Sequence, residues 1–190
     1  LLSALALLPL TGAIAAGLAR RGFRVGVGAR DAGRREEAVD KLRAEGLDVF
    51  GVALDVTDDT SVAAAAAQLE AEGGLDVLVN NAAITGGMPQ EPSVVTPEQV
   101  LGVVDTNVVG VIRVTNAMLP MLRRAASPRI VNVSSTVGSL THQTAQAEAV
   151  GPISAAYSPS KTFLNAVTIQ YAKELAGTGV LVNAGCPGFV

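Results

Sequence analysis

Short apolar runs recur along the chain, each bounded by Gly, Asp or Asn and each followed by a longer stretch in which charged and apolar positions mix. The runs "FRVGVGA" (23–29), "DVFGVAL" (48–54), "DVLVN" (76–80), "RIVNVS" (129–134) and "VLVNAG" (180–185) are short and Val-rich, the pattern of strands buried on both faces. Between them, "RREEAVDKLRAEG" (34–46) carries acids early and ends on Gly46, and "DDTSVAAAAAQLEAEGG" (58–74) opens on capping residues and stops at Gly73-Gly74. Both predict helices. The Ala run 63–67 has a structural meaning only, as a strong helix former. Strand, helix and strand repeating in this way predict an α/β fold, a doubly wound parallel sheet with helices on both faces.

Ligands of such sheets bind beyond the carboxyl ends of the strands, which here are followed by Arg30, Asp55, Asn80-Asn81, Ser134-Ser135 and Pro187-Gly188. Between the last two, "YSPSKTFLNAVTIQYAKEL" (157–175) sets Tyr157 and Lys161 four apart on one helix face. A phenol with a pKa of roughly 10 is a poor proton donor or acceptor at neutral pH, and a fixed ammonium nearby lowers that pKa. Taken alone, the pair reads as an ordinary exposed helix start.

Composition narrows the classes. With 190 residues, 49% of them hydrophobic and 16% charged, the chain can bury one sizeable core, so residues 1–190 are read as a single domain. A net charge of −3 with scattered Lys and Arg makes no field for a polyanion and argues against nucleic acid. Cys186, standing alone, excludes an intrachain disulfide and fits a reducing, cytoplasmic compartment, and the single His142 leaves no metal cluster. Residues 1–19 carry no charge, but they lack a basic leader and are interrupted by Pro9, Thr11 and two glycines, so no membrane segment is expected there.

The segments "LDVTD", "LVNNAA", "DTNVVG", "NVSSTVG", "YSPSK" and "CPGFV" occur in the order and spacing of the short-chain dehydrogenase/reductases, and the chain from Gly12 to Val190 resembles that family. The resemblance implies a Rossmann-like domain that binds NADP(H) or NAD(H) and reduces a carbonyl or oxidises an alcohol of a small molecule. It implies that Tyr157 is the general acid/base, that Ser135 hydrogen-bonds the substrate oxygen, and that Lys161 holds the nicotinamide ribose and depresses the tyrosine pKa. Asn107, on the helical stretch 98–122, matches the asparagine that anchors a water in the proton relay. Asp55 and Val56 match the pair beside the adenine, Asn81 the residue lining the adenosine ribose, and Val190 the residue against the nicotinamide amide. The second strand ends on Ala29-Arg30 instead of an acid, so a guanidinium stands where a 2′-phosphate would lie and NADP(H) is favoured over NAD(H). Family members commonly pair through the helices beginning near residues 98 and 157, so a homo-oligomer is among the partners expected.

The chain departs from the family in four places. The Gly-x-Gly of the phosphate turn falls on Pro9, Leu10 and Thr11, and Pro9 offers no N–H to a phosphate. Either "ALALL" forms a first strand with a shortened turn, or residues 1–10 are foreign to the fold. The motif Asn-Asn-Ala-Gly ends here on Ala83, and Tyr157 follows Ser135 by 22 positions, a longer loop than the family commonly has. The start without Met and the end at "PGFV", ahead of the family's lid segment, imply an irregular N-terminus and a truncated C-terminus. The alternative to an enzyme is a degenerate homologue that binds cofactor weakly and serves as an interaction module.

Overall fold

A computed structural model describes residues 3–6, 10–145 and 153–188. Val190, expected at the nicotinamide, and Pro9 of the phosphate turn lie outside the described residues. Six parallel strands, β1 (Ser3–Ala6), β2 (Arg24–Ala29), β3 (Val49–Ala53), β4 (Val77–Asn80), β5 (Arg129–Val133) and β6 (Leu181–Gly185), form one sheet in the order β3-β2-β1-β4-β5-β6. The five strands expected from Val-rich runs are all present, and "ALALL" contributes the first: Ser3–Ala6 pairs with β2 on one side and β4 on the other. Three positions separate β1 from the helix α1 (Leu10–Ala19).

Two apolar layers cover the sheet. On one face α1 and α2 (Ala32–Ala44) pack Ala15, Ala16, Val39 and Leu42 against Val25, Val27 and Val79. On the other, α3 (Asp59–Ala71), α5 (Gly110–Leu122) and α7 (Tyr157–Glu174) pack Val62, Leu69, Met118, Leu122 and Tyr171 against Val52, Leu78 and Ile130. Three helix starts follow from side-chain caps. Asp31 accepts from the Arg34 amide, Asp58 from the amides of Thr60 and Ser61, and at α4 (Pro97–Val104) Thr96 and Gln99 form a reciprocal capping box.

The helical stretch expected over 98–122 is not one α-helix. Between α4 and α5 the residues Asp105–Val109 make a π-helical turn. The extra residue in that turn rotates Asn107 into the interior, where it is fully buried. Gly110 then lies directly on the strand-end segment, and a Cβ there would stand 2.8 Å from Val56 Cγ2 and 3.1 Å from the Val56 carbonyl oxygen.

A chain of side-chain hydrogen bonds runs through the second layer. Asn80 Nδ2 donates to Thr115 Oγ1 at 3.1 Å and to Asn132 Oδ1 at 2.9 Å, Asn132 Nδ2 donates to Thr168 Oγ1 at 2.9 Å, and Thr168 Oγ1 donates to the Leu164 carbonyl at 2.7 Å. Asn80 and Asn132 are register partners on β4 and β5, so the chain locks two strands to α5 and α7. Replacing the fully buried Asn132 with Leu (Asn132→Leu) leaves an Asn80 donor without its acceptor. We expect a loss of about 1–3 kcal/mol in unfolding free energy, read from urea denaturation.

Candidate active site

The residues singled out after the strands meet along the carboxyl edge of the sheet. β5 ends at Val133 and is followed by Ser134, Ser135 and a single 3-10 turn, Thr136–Gly138. That turn lies on α7 because residue 138 has no side chain: a Cβ would come within 2.9 Å of the Lys161 carbonyl carbon. Asn165, one turn further along α7, fastens the same segment. Its Oδ1 accepts from Ser134 Oγ at 2.7 Å and its Nδ2 donates to the Gly138 carbonyl at 3.2 Å.

Two cavities open on this edge. One of about 180 Å³ is lined by Arg30, Arg34, Asp55, Val56, Thr57 and Thr106, with other residues. A second, of about 160 Å³, is lined by Asn81, Ser134, Ser135, Tyr157, Lys161 and Cys186, with the Pro187-Gly188 turn closing one side. Ala83, where the family motif has Gly, lines both cavities, so a molecule that occupies the two must pass over its methyl group. Asn81 lines the second cavity with Tyr157, and with Val56, Ala82 and Thr106, which border the first, it lines a smaller cavity between the sheet and α5.

In the first cavity Asp55 is held by Thr57, whose amide donates to Oδ1 at 2.9 Å and whose hydroxyl donates at 2.6 Å. These bonds, with a smaller contribution from the Arg30 guanidinium, hold the Asp55 carboxyl below its ordinary range. Arg34, in the first turn of α2, joins Arg30 at the same opening, a second cation that the strand-end rule did not single out.

In the second cavity Ser135, Tyr157 and Lys161 line one wall together. Lys161 is 3% exposed, and its Nζ donates to the Val133 carbonyl at 2.7 Å while standing 5.6 Å from the centre of the Tyr157 ring. This geometry corrects one expectation. Burial raises the Tyr157 pKa above its ordinary value, Ser135 pulls it down by less, and the neighbouring Cys186 adds to the rise. No lowering by Lys161 offsets this rise in the resting site; its Nζ donates to the Val133 carbonyl, and its own pKa is lowered to about 8 by burial.

Asn107 reaches the site through its neighbours. Its Oδ1 accepts from the Ile84 amide at 2.8 Å, and its Nδ2 donates to the Ile84 carbonyl at 2.9 Å and to Ser160 Oγ at 3.0 Å. Both of its N–H donors are taken by protein acceptors, so the side chain braces the Ile84 backbone against Ser160. His142 lies in the short helix α6 (Leu140–Ala145), away from the residues lining either cavity. Of the residues missed by the sequence reading, Asn165 and Ser160 are each defined by a partner on another element, and Arg34 by the cavity it lines.

The sequence profile of the short chain dehydrogenase family matches residues 10–190. A Streptomyces virginiae relative named as a ketoacyl reductase of the monensin polyketide synthase is 40% identical over 176 residues, 91% of this chain and 63% of that protein. The Staphylococcus aureus 3-oxoacyl-acyl-carrier-protein reductase is 34% identical over 179 residues, 93% of this chain and 68% of its own length. The crystal structure of an actinorhodin polyketide ketoreductase variant with NADPH superposes with a TM-score of 0.87 at 36% identity, covering 100% of this chain and 70% of that one. The chain spans 62% to 65% of the length of the three Streptomyces relatives it matches.

The lowered Lys161 gives a stability signature. Below pH 8 the ammonium is charged in folded and unfolded chains alike, and burying it costs stability in full. From about 8 to 10.5 the folded chain has released the proton that the unfolded chain keeps, so stability rises with pH, by roughly 1 kcal/mol per unit. Above 10 the raised tyrosines act in the opposite sense. The unfolding free energy of the parent relative to Lys161→Met should therefore climb between pH 8 and 10 in urea titrations, and a flat difference would contradict the burial assignment.

Proposed function

The chain belongs to the short chain dehydrogenase family, and from that membership we propose that it is the dinucleotide-binding and catalytic unit of a cytoplasmic NADPH-dependent reductase acting on a ketone of the ketoacyl class. The observation that carries the reading is the second cavity, where a half-buried Tyr157 stands beside Ser135 and Lys161. The phenol is protonated at neutral pH, the form needed to give a proton to a nascent alkoxide.

The dinucleotide fits this edge. The two cavities are joined at Ala83, one end presents the cations Arg30 and Arg34, and the other presents Tyr157 and Lys161. Arg30, with Arg34, would pair with a 2′-phosphate, Asp55 and Val56 would flank the adenine, Asn81 would line the adenosine ribose, and Lys161 would hold the nicotinamide ribose. When bound, the reduced nicotinamide supplies the hydride.

The chain's own groups supply the rest. Ser135 donates to the substrate carbonyl and orients it, and Tyr157 gives its proton to the oxygen as that oxygen becomes an alkoxide. Lys161, charged below about pH 8, brings positive charge to the cavity in which the phenolate is left. Asn107 and Ser160 hold the carbonyl of Tyr157 so that the phenol keeps its place, since Ser160 Oγ donates to that carbonyl at 2.6 Å.

Two substitutions test the assignment. Arg30→Ala should weaken NADPH binding by about tenfold to a hundredfold while leaving NADH binding nearly unchanged, both read by fluorescence titration. Equal losses would make Arg30 an ordinary loop charge. Tyr157→Phe should cut kcat with NADPH and a reactive diketone by roughly 10²–10⁴ while NADPH still binds. A variant that turns over at the parent rate would remove Tyr157 from the chemistry.

A further inference from the structure

The segment between β4 and α4 carries a buried amide that the chemistry above does not use. Gln90 is 4% exposed, and its side chain is bonded on both sides. Nε2 donates to the carbonyls of Thr85 at 2.8 Å and Gly87 at 2.7 Å, and Oε1 accepts from Ser154 Oγ at 3.0 Å and from the Ala156 amide at 3.3 Å. The Gln90 backbone carbonyl accepts from the Ala155 amide at 2.9 Å. One residue thus ties the loop after β4 to the three residues that run directly into Tyr157.

These bonds fall where α7 lacks support of its own. The first amides of a helix have no intrahelical acceptor, and the residue in the capping position is Ala156, whose side chain can accept nothing. Gln90 supplies acceptors to two consecutive amides just ahead of Tyr157. On the other side of Tyr157 its carbonyl is held by Ser160, which is held in turn by Asn107, and Asn107 grips Ile84, next to Thr85. The phenol therefore stands between two amide braces that share one loop, one behind it at Gln90 and one ahead of it at Asn107.

We propose that Gln90 is a positioning residue for Tyr157: by holding Ser154 and Ala156 it sets the start of α7, and with it the distance of the phenol from Ser135. The inference rests on the reading of Tyr157 as the proton donor. Gln90→Met keeps the length and removes all four side-chain bonds, whereas Ser154→Ala removes one of them.

In Gln90→Met the Ala156 amide should exchange with solvent at least about tenfold faster by NMR, with NADPH affinity within about twofold of the parent. kcat should fall by about tenfold or more, as expected for a displaced reacting group, with little change in KM for NADPH. Ser154→Ala should give a smaller loss in the same direction, and it carries the test if Gln90→Met does not fold. In a Tyr157→Phe background Gln90→Met should cost no further activity, because both substitutions act through one phenol. A parent-like kcat, a full additional loss in the Tyr157→Phe background, or an equal loss of NADPH binding would each overturn the inference and leave the reductase reading standing. A parent chain that binds NADPH but reduces no ketone would overturn both.

Discussion

The docking of one face of α7 on β5 is the constraint on which the site depends. Tyr157, Lys161, Leu164, Thr168, Tyr171 and Leu175 recur at three- and four-residue intervals and so share that face. Its apolar members enter the core, and its polar members each find a fixed partner: Ser160 with Asn107, Lys161 with the Val133 carbonyl, Asn165 with Ser134, Thr168 with Asn132 and Tyr171 with Asn116. A buried polar group left without its partner costs about 1–3 kcal/mol, so a shift of the helix by one residue, which rotates it by about 100°, would break all of them together. The same bonds that hold the helix hold the phenol of Tyr157 over Ser135. Site geometry and fold stability are here one set of contacts.

Two glycines let that docking happen, and neither needs an unusual backbone angle. Gly138 permits the turn after β5 to lie on the α7 backbone, and Gly110 permits the helix after the π-helical turn to lie on Val56. Each stands at the end of a sequence segment, "NVSSTVG" and "DTNVVG", whose polar residues enter the site. The glycine in each case is a contact requirement for those polar residues: without the close approach, Ser135 and Asn107 would be carried away from α7 by the bulk of a side chain between the elements.

What could be read from sequence follows from range. Strands β2 to β6 were legible because a buried parallel strand writes a local Val-rich run, and α2 and α3 because their caps are neighbours in sequence. The start of the chain was ambiguous, since residues 1–19 are apolar throughout and no period separates strand from helix. The π-helical turn at Asp105–Val109 was illegible because it uses the same residues that an α-helix would. Gln90 was illegible for a different reason: its meaning lies in Ser154 and Ala156, 64 and 66 positions away, and nothing nearby marks a glutamine in a loop as a brace. The placements of Ser135, Tyr157, Lys161, Asp55 and Val56 followed from motif spacing, which fixes where residues sit. It does not fix how deeply they are buried.

That last distinction accounts for the one electrostatic expectation that failed. Spacing puts an ammonium near a phenol and suggests that the charge lowers the phenol pKa, but the same packing that brings the two together also removes water from both. Desolvation disfavours phenolate and ammonium alike, raising one pKa and lowering the other. The Val133 carbonyl accepts one of the ammonium's hydrogen bonds. With burial the largest influence on it, the resting Tyr157 is a neutral phenol, and proton donation becomes favourable only when negative charge develops on an oxygen in front of it. A site arranged in this way holds its proton until the substrate demands it.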